Sequence, residues 1–202
     1  TAAPNLWSWR QEKEWSYEVS VTETALSRQT REAYECYLLW QYRLESGQST
    51  LCNHGRFHKD HIKSGPRSST ARGRKLRNNE DRNPSGGPSS SPLHSLNKPI
   101  SQSWMGLEWS PIKSLTIRET VPNSNGLYKI IKENNVVYIG ETEFLFNRLR
   151  SHNRNFQEHT YSFSLLDPII LSYQRHELEN DLIGNYYQIY KKSPDRQFNR
   201  KN

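Results

Sequence analysis

Cysteine is scarce in this chain of 202 residues, which holds only Cys36 and Cys52. Two cysteines cannot build a disulfide framework, so the stapled secreted scaffolds are excluded and a reducing interior is expected. Long apolar runs are lacking too. No stretch of about 18 apolar residues occurs, which leaves no candidate for a membrane-spanning helix, and no signal-peptide pattern opens the chain. A cytoplasmic protein is expected. The chain opens on Thr1 rather than Met, as a processed or trimmed start would. Apolar residues make up 33% and mean hydropathy is −0.97, so part of the chain is expected to lie outside a packed core.

Acidic residues are outnumbered, with 21 Asp and Glu against 28 Lys and Arg. The resulting +7 favours a polyanionic partner. Its distribution says more than its size. Nine Lys and Arg fall between Arg56 and Arg82 against three acids, a local +6 that is nearly the whole excess. Clustering of this kind is a nucleic-acid signal, although a solvated loop gives the same pattern.

Three parts follow one another along the sequence. Residues 1–61 are aromatic and mixed in charge. Within them Leu26, Ala33, Tyr37, Trp40 and Leu44 fall at helical spacing, with Thr22 available as a cap and Gly47 as a terminator. Residues 62–103 interleave Ser, Pro, Gly and Asn runs with the basic cluster and read as an irregular basic arm. Residues 104–202 read as an α/β (α+β) domain. Strands are expected at 126–131 and 135–140, a helix over 142–152, an extended run from Tyr161 to Leu166 or on to Ser172, and a helix over 174–190. That last helix carries Leu178, Leu182, Tyr186 and Ile189 on one stripe.

What is present between Gly126 and His152 is more specific. GLYKI and VVYIG are close enough to form a hairpin. Side chains alternate faces along a strand, so Tyr128 and Tyr138 share a face only if paired residue numbers sum to an even number. A three-residue Glu133-Asn134-Asn135 loop would do this and set Tyr128 opposite Gly140. A two-residue Asn134-Asn135 turn would put the tyrosines on opposite faces. Arg148 and His152, four apart, lie on one helix face and point a fixed cation and an imidazole the same way. Arginine suits a phosphate, and His or Tyr can take a proton from water, provided a nearby cation or metal lowers the tyrosine pKa. Glu179, at the edge of an apolar stripe, could supply a carboxylate to a divalent metal. Each part alone is also what ordinary packing produces.

The order of these elements resembles the GIY-YIG endonuclease superfamily. The resemblance runs from Gly126 to Asn199 and rests on Gly126-Leu127-Tyr128, Tyr138-Ile139-Gly140, Arg148, His152, Glu179 with Leu182-Ile183 behind it, and Pro194 with Phe198-Asn199. Leu127 stands where the family has Ile, a packing change. Glu177, two residues before Glu179, is the other candidate for the family glutamate. The resemblance implies a small nuclease domain with a short antiparallel sheet flanked by helices. It also implies hydrolysis of a DNA phosphodiester with Mg²⁺ or Mn²⁺. Tyr128 would be base or water-orienting group, Tyr138 its support, Arg148 the phosphate stabiliser and His152 an aid to proton transfer. Glu179 would be the metal ligand and Asn199 a phosphate contact.

The layout, a nuclease-like region closing the chain behind a private basic extension, suits a prokaryotic or phage restriction enzyme better than a homing enzyme. Double-stranded DNA is then the expected partner, cut by a homodimer or higher homo-oligomer. The alternatives are a structure-specific repair or recombination nuclease and an inactive DNA-binding module. Within the arm Arg67, Arg72, Arg74, Lys75 and Arg77 are the expected DNA contacts. Arg72-Gly73-Arg74 resembles the core of a minor-groove hook, with Lys75 where that motif has Pro. Cys52, His54, His58 and His61 could hold zinc, but their spacing is looser than that of paired zinc motifs, so DNA contact or loop chemistry is the stronger expectation.

Overall fold

The computed structural model describes residues 3–66, 68–70, 72–94, 97–115, 121–156 and 158–199. Among them the fold is mixed α and β, with four helices and two small antiparallel sheets. The helices are α1 (Ala3–Lys13), α2 (Arg28–Ser46), α3 (Leu145–His152) and α4 (Ser172–Tyr190). A two-stranded ladder joins β1 (His61–Ile62) to β2 (Arg74–Lys75). The larger sheet has the order β3-β6-β4-β5, from β3 (Lys113–Ser114), β4 (Gly126–Lys132), β5 (Asn135–Thr142) and β6 (Thr160–Leu165). None of the described helices is long and apolar enough to cross a membrane.

The hairpin has the expected register by a different route. Tyr128 pairs with Gly140 and Ile130 with Tyr138, yet Ile131 pairs with Val136. The turn is two residues, Glu133 and Asn134, with φ of 49° and 62°. Two left-handed residues suit a tight hairpin turn, and Asn tolerates that region well. Val137 is then an extra residue in β5, a bulge that shifts the pairing by one. The three-residue loop is therefore replaced by a shorter turn plus a bulge, and the sum parity that puts both tyrosines on one face survives. Val136 and Val137 are both buried in different cores, as alternation requires, and the bulge sets Val137 on the same face as Tyr138.

Those cores lie on opposite faces of the sheet. Leu127, Ile131, Val136 and Ile139 pack with Leu178, Leu182, Ile183 and Tyr186 of α4 and with Ala33 and Trp40 of α2. Leu127 thus takes the packing role expected of it. Tyr128, Ile130 and Val137 pack on the other face with Leu145 and Leu149 of α3 and with Phe156. Ile189, expected on the α4 stripe, is 40% exposed, because the stripe outruns the sheet at the last turn.

The cap of α2 is Ser27 rather than Thr22: its hydroxyl accepts the Thr30 N–H at 3.2 Å, and Gly47 ends the helix at φ 72°. Thr22 lies five residues upstream in an irregular stretch. Helix α1 has no apolar stripe and is not legible from periodicity. It is held instead by polar anchors: Asn5 Nδ2 donates to the Leu51 and Arg56 carbonyls, and Asn5 Oδ1 accepts the His58 N–H at 3.0 Å.

The irregular segment after β2 is pinned by buried charges. Arg43, 1% exposed, forms a two-pronged ion pair with Asp181 at 2.8 and 3.1 Å and donates to the Ser90 carbonyl. Glu177 accepts the Ser90 N–H at 2.7 Å, and Asp181 accepts the Leu93 N–H at 3.0 Å. Lys129, 1% exposed, donates to the Pro99 and Ser101 carbonyls at 2.7 and 2.9 Å, over the faces of Trp104 and Trp109. Burial pushes its pKa down to about 7. A polar segment with little regular structure is thereby fixed through its own backbone groups.

Candidate active site

Tyr128 is the centre of a ring of side chains on the α3 face of the sheet. Its hydroxyl accepts Arg148 Nε–H at 2.9 Å and lies 2.9 Å from His152 Nε2. Arg148 also hydrogen-bonds the Tyr138 hydroxyl. The two tyrosine rings stack with centroids 6.0 Å apart, and His152 is 5.3 Å from each. Phe156 closes the cluster against Tyr138 and His152.

The glycines of the two motifs have local reasons. A Cβ on Gly140 would overlap the Tyr128 ring, which lies across that backbone. A Cβ on Gly126 would overlap Leu145, the first residue of α3. The first glycine thus lets α3 approach the sheet, and the second lets Tyr128 reach over to the residues α3 carries.

Protonation follows from burial. Tyr128 is 0% exposed, and desolvation holds its pKa well above 10. His152 is pushed down to about 4 by burial and by the Arg148 charge, so its imidazole is neutral at pH 7. With Arg148 donating to the Tyr128 oxygen, the hydroxyl proton is directed at His152 Nε2. That arrangement uses the His152 tautomer with a free Nε2.

Glu179, on the second turn of α4, lies within electrostatic range of both Arg148 and Tyr128. It makes no ion pair among the described residues. Burial, then the nearby Glu141 charge, raise its pKa to about 7, while the Glu141 N–H bonds to it. Glu177 is a different kind of residue. It is 0% exposed and paired with Arg56 at 2.9 Å and Arg43 at 3.5 Å, besides two bonds from Ser90. Its acceptor capacity is filled, so it has nothing left to offer a metal. Of the two glutamates, Glu179 is the one with oxygen donors to spare. One carboxylate, with water and phosphate completing the shell, is donor chemistry that Mg²⁺ or Mn²⁺ accepts.

Three residues of this neighbourhood are not singled out by the sequence motifs. Glu141 follows Gly140 directly, accepting Arg175 Nε at 2.6 Å and lying 3.3 Å from His176 Nε2. This pairing raises the His176 pKa. It also ties the end of β5 to the first turn of α4, one turn before Glu179. The signal for it in the sequence is the charge run Arg175-His176-Glu177 at the start of a helix, which would be costly beside an apolar stripe without partners.

Asn199 donates to the Asp195 carbonyl at 3.2 Å, in the turn that follows α4. That turn is docked on β5, since Gln197 Oε1 accepts the Ile139 N–H at 3.0 Å. No contact joins Asn199 to the Tyr128 cluster among the described residues.

The basic segment is less free than its charge implies. Arg74 forms a two-pronged pair with Glu80, Lys75 pairs with Glu12, and Arg82 pairs with Asp60. Arg56 is committed to Glu177. Arg72 and Arg77 are exposed and make no ion pair among the described residues. Arg67 lies outside the described residues. The Cys-His set does not assemble. His58 and His61 face each other with Nδ1 atoms 3.0 Å apart, whereas the His54 carbonyl lies 3.3 Å from His176 Nδ1. Among the described residues no group of three or more His, Cys, Asp or Glu is placed to hold a metal ion.

Compared with known proteins, the chain matches no family model, and no curated protein or solved structure matches it significantly.

Proposed function

We propose that the chain is a metal-dependent DNA endonuclease of GIY-YIG type, cutting double-stranded DNA at a specific sequence as a restriction enzyme does. One observation carries the reading: the Tyr128 hydroxyl is held between Arg148 and a neutral His152, with Tyr138 stacked beside it and Glu179 in electrostatic range.

In this mechanism Arg148 turns from the tyrosines to a phosphate oxygen, which the guanidinium binds as charge builds on it. Tyr138, partly exposed, orients the attacking water. A proton arriving at the Tyr128 oxygen is matched by the hydroxyl proton passing to His152 Nε2. Neutralisation of Arg148 by the phosphate removes one of the two influences that hold the His152 pKa down, so the imidazole becomes a better acceptor when substrate is bound. A Mg²⁺ or Mn²⁺ held by Glu179 would stabilise the leaving oxygen. Exposed Arg72 and Arg77, with Arg74 and Lys75 released from their surface pairs, would contact DNA. Each site cuts one strand, so two protomers would serve both.

A second reading, a DNA-binding module without cleavage, is favoured by the complete burial of the Tyr128 ring. Supercoiled plasmid separates the two. Nicking or linearisation in Mg²⁺, abolished by EDTA and by Tyr128→Phe, is the expected result. DNA binding with no nicking in either metal would leave the binding module.

A further inference from the structure

Helix α2 turns Trp40 and Ala33 inward onto α4, and the opposite face is uncovered. Tyr34, Leu38 and Tyr42 stand there at intervals of four, exposed by 36%, 49% and 43%. At about 100° per residue, Arg31, Glu35 and Glu45 fall on the same stripe, and all three are exposed. Neither Arg31 nor Glu45 joins an ion pair among the described residues. Singly exposed apolar residues need no explanation, but three in register along a helix form a stripe. The Tyr34 ring is already braced at its inner edge by Tyr37 and Tyr187, so little freedom remains for it to lose on being covered.

The order of residues along this stripe has a symmetry. Reversed about Leu38, position 34 exchanges with 42 and position 31 with 45. Tyrosine therefore falls on tyrosine, leucine on leucine, and arginine on glutamate. A two-fold axis relating antiparallel helices performs this exchange, and an interface of that kind must be complementary to itself. A foreign partner would place no such demand on the sequence.

We propose that the exposed face of α2 is a homodimer interface. Two copies of α2 lie antiparallel across a two-fold axis at Leu38, with Tyr34 against Tyr42 and Arg31 against Glu45 of the second copy. The 19-residue helix is about 28 Å long, enough for these contacts to repeat on both sides of the axis. Since α2 packs along α4, the same axis relates the two copies of the helix that bears Glu179.

Light scattering and sedimentation of the full chain, without DNA or metal, test this independently of any cleavage. The wild-type chain is expected to have the mass of two chains. Leu38→Glu is expected to have the mass of one, with helix content unchanged because the side chain is half exposed. Arg31→Glu should weaken the dimer about tenfold, and the double change Arg31→Glu with Glu45→Arg should restore it, since that swap preserves folding and complementarity alike. A wild-type monomer at every concentration, a dimer that survives Leu38→Glu, or a charge swap that fails to restore association would overturn the proposal. None of these outcomes bears on whether the monomer's Tyr128 cluster cuts DNA.

Discussion

Glu177 and Glu179 sit two residues apart on α4, on opposite sides of the helix, and have opposite surroundings. Glu177 faces α2 and the 84–93 segment, where Arg43, Arg56 and Ser90 satisfy it. Glu179 faces the end of β5, where Glu141 repels it and Arg175 and His176 are already bonded to Glu141. The saturated carboxylate holds a fold together. The unsaturated one is kept at a cost, and a cost of that kind points to function.

Substitution should split this pair cleanly. Glu177→Ala leaves Arg43 and Arg56 buried beside an empty position and frees the Ser90 N–H. Breaking a buried ion pair in this way costs about 3–5 kcal/mol. A domain of this size has about 5–15 kcal/mol in reserve, so the variant should melt well below wild type by circular dichroism. Glu179→Ala should fold and bind DNA within a small factor of wild type, yet lose cleavage by about 100-fold or more, because the carboxylate acts on the transition state. An unchanged melting temperature in the first, or binding lost in the second, would reverse the roles assigned to the two residues.

The second contrast is in pH. The Glu179 pKa is raised from 4.5 to about 7, so folding favours its neutral form. The stability this confers is fully present below about pH 4.5 and is lost as pH rises through about 7. Glu179→Gln keeps the neutral shape at every pH. Its melting temperature should therefore exceed that of wild type by several degrees near pH 8 and by much less near pH 5. Mg²⁺ should narrow the gap near pH 8 by stabilising only the wild-type chain. A gap that does not change with pH or metal would show that Glu179 bears no such charge burden.

How much of this was legible in the sequence differs between the two surroundings. The Tyr128 side was readable because local rules fix it. The four-residue spacing of Arg148 and His152 puts them on one helix face, and alternation along β4 and β5 puts the tyrosines on one face once the bulge restores the parity that the two-residue turn alone would break. The turn was misread only in its length, since a bulge at Val137 is set by the packing of two cores and leaves no local signature. The Glu177 side was not readable. Arg43, Arg56, Ser90 and Asp181 come from four distant stretches, and an exposed charge looks the same in a sequence as a buried one. Arg56 illustrates the consequence: counted within the basic cluster, it is a buried structural ion.

That lesson extends to the remaining cations of the basic segment and yields the smallest expected effects. Arg72 and Arg77 are exposed and join no ion pair among the described residues, although Glu80 accepts the Arg77 backbone N–H at 2.8 Å, whereas the Arg74 guanidinium holds Glu80 at 2.6 Å through both nitrogens. A surface pair is worth about 0–1 kcal/mol, so a phosphate can displace Glu80 from Arg74, but the freed carboxylate then repels the DNA. Arg72→Ala and Arg77→Ala should each lower DNA affinity and reduce the slope of log affinity against log salt by about one. If either reads a base edge, the loss should be about 1–3 kcal/mol and confined to sites with the preferred base. Arg74→Ala should cost less than either, because Glu80 already offsets part of its charge. Glu80→Gln should then strengthen binding slightly by leaving Arg74 unpaired. Fluorescence anisotropy across a salt series measures all four variants, and an Arg74→Ala loss larger than that of Arg72→Ala and Arg77→Ala would mean that the pair with Glu80 presents the guanidinium to DNA rather than withholding it.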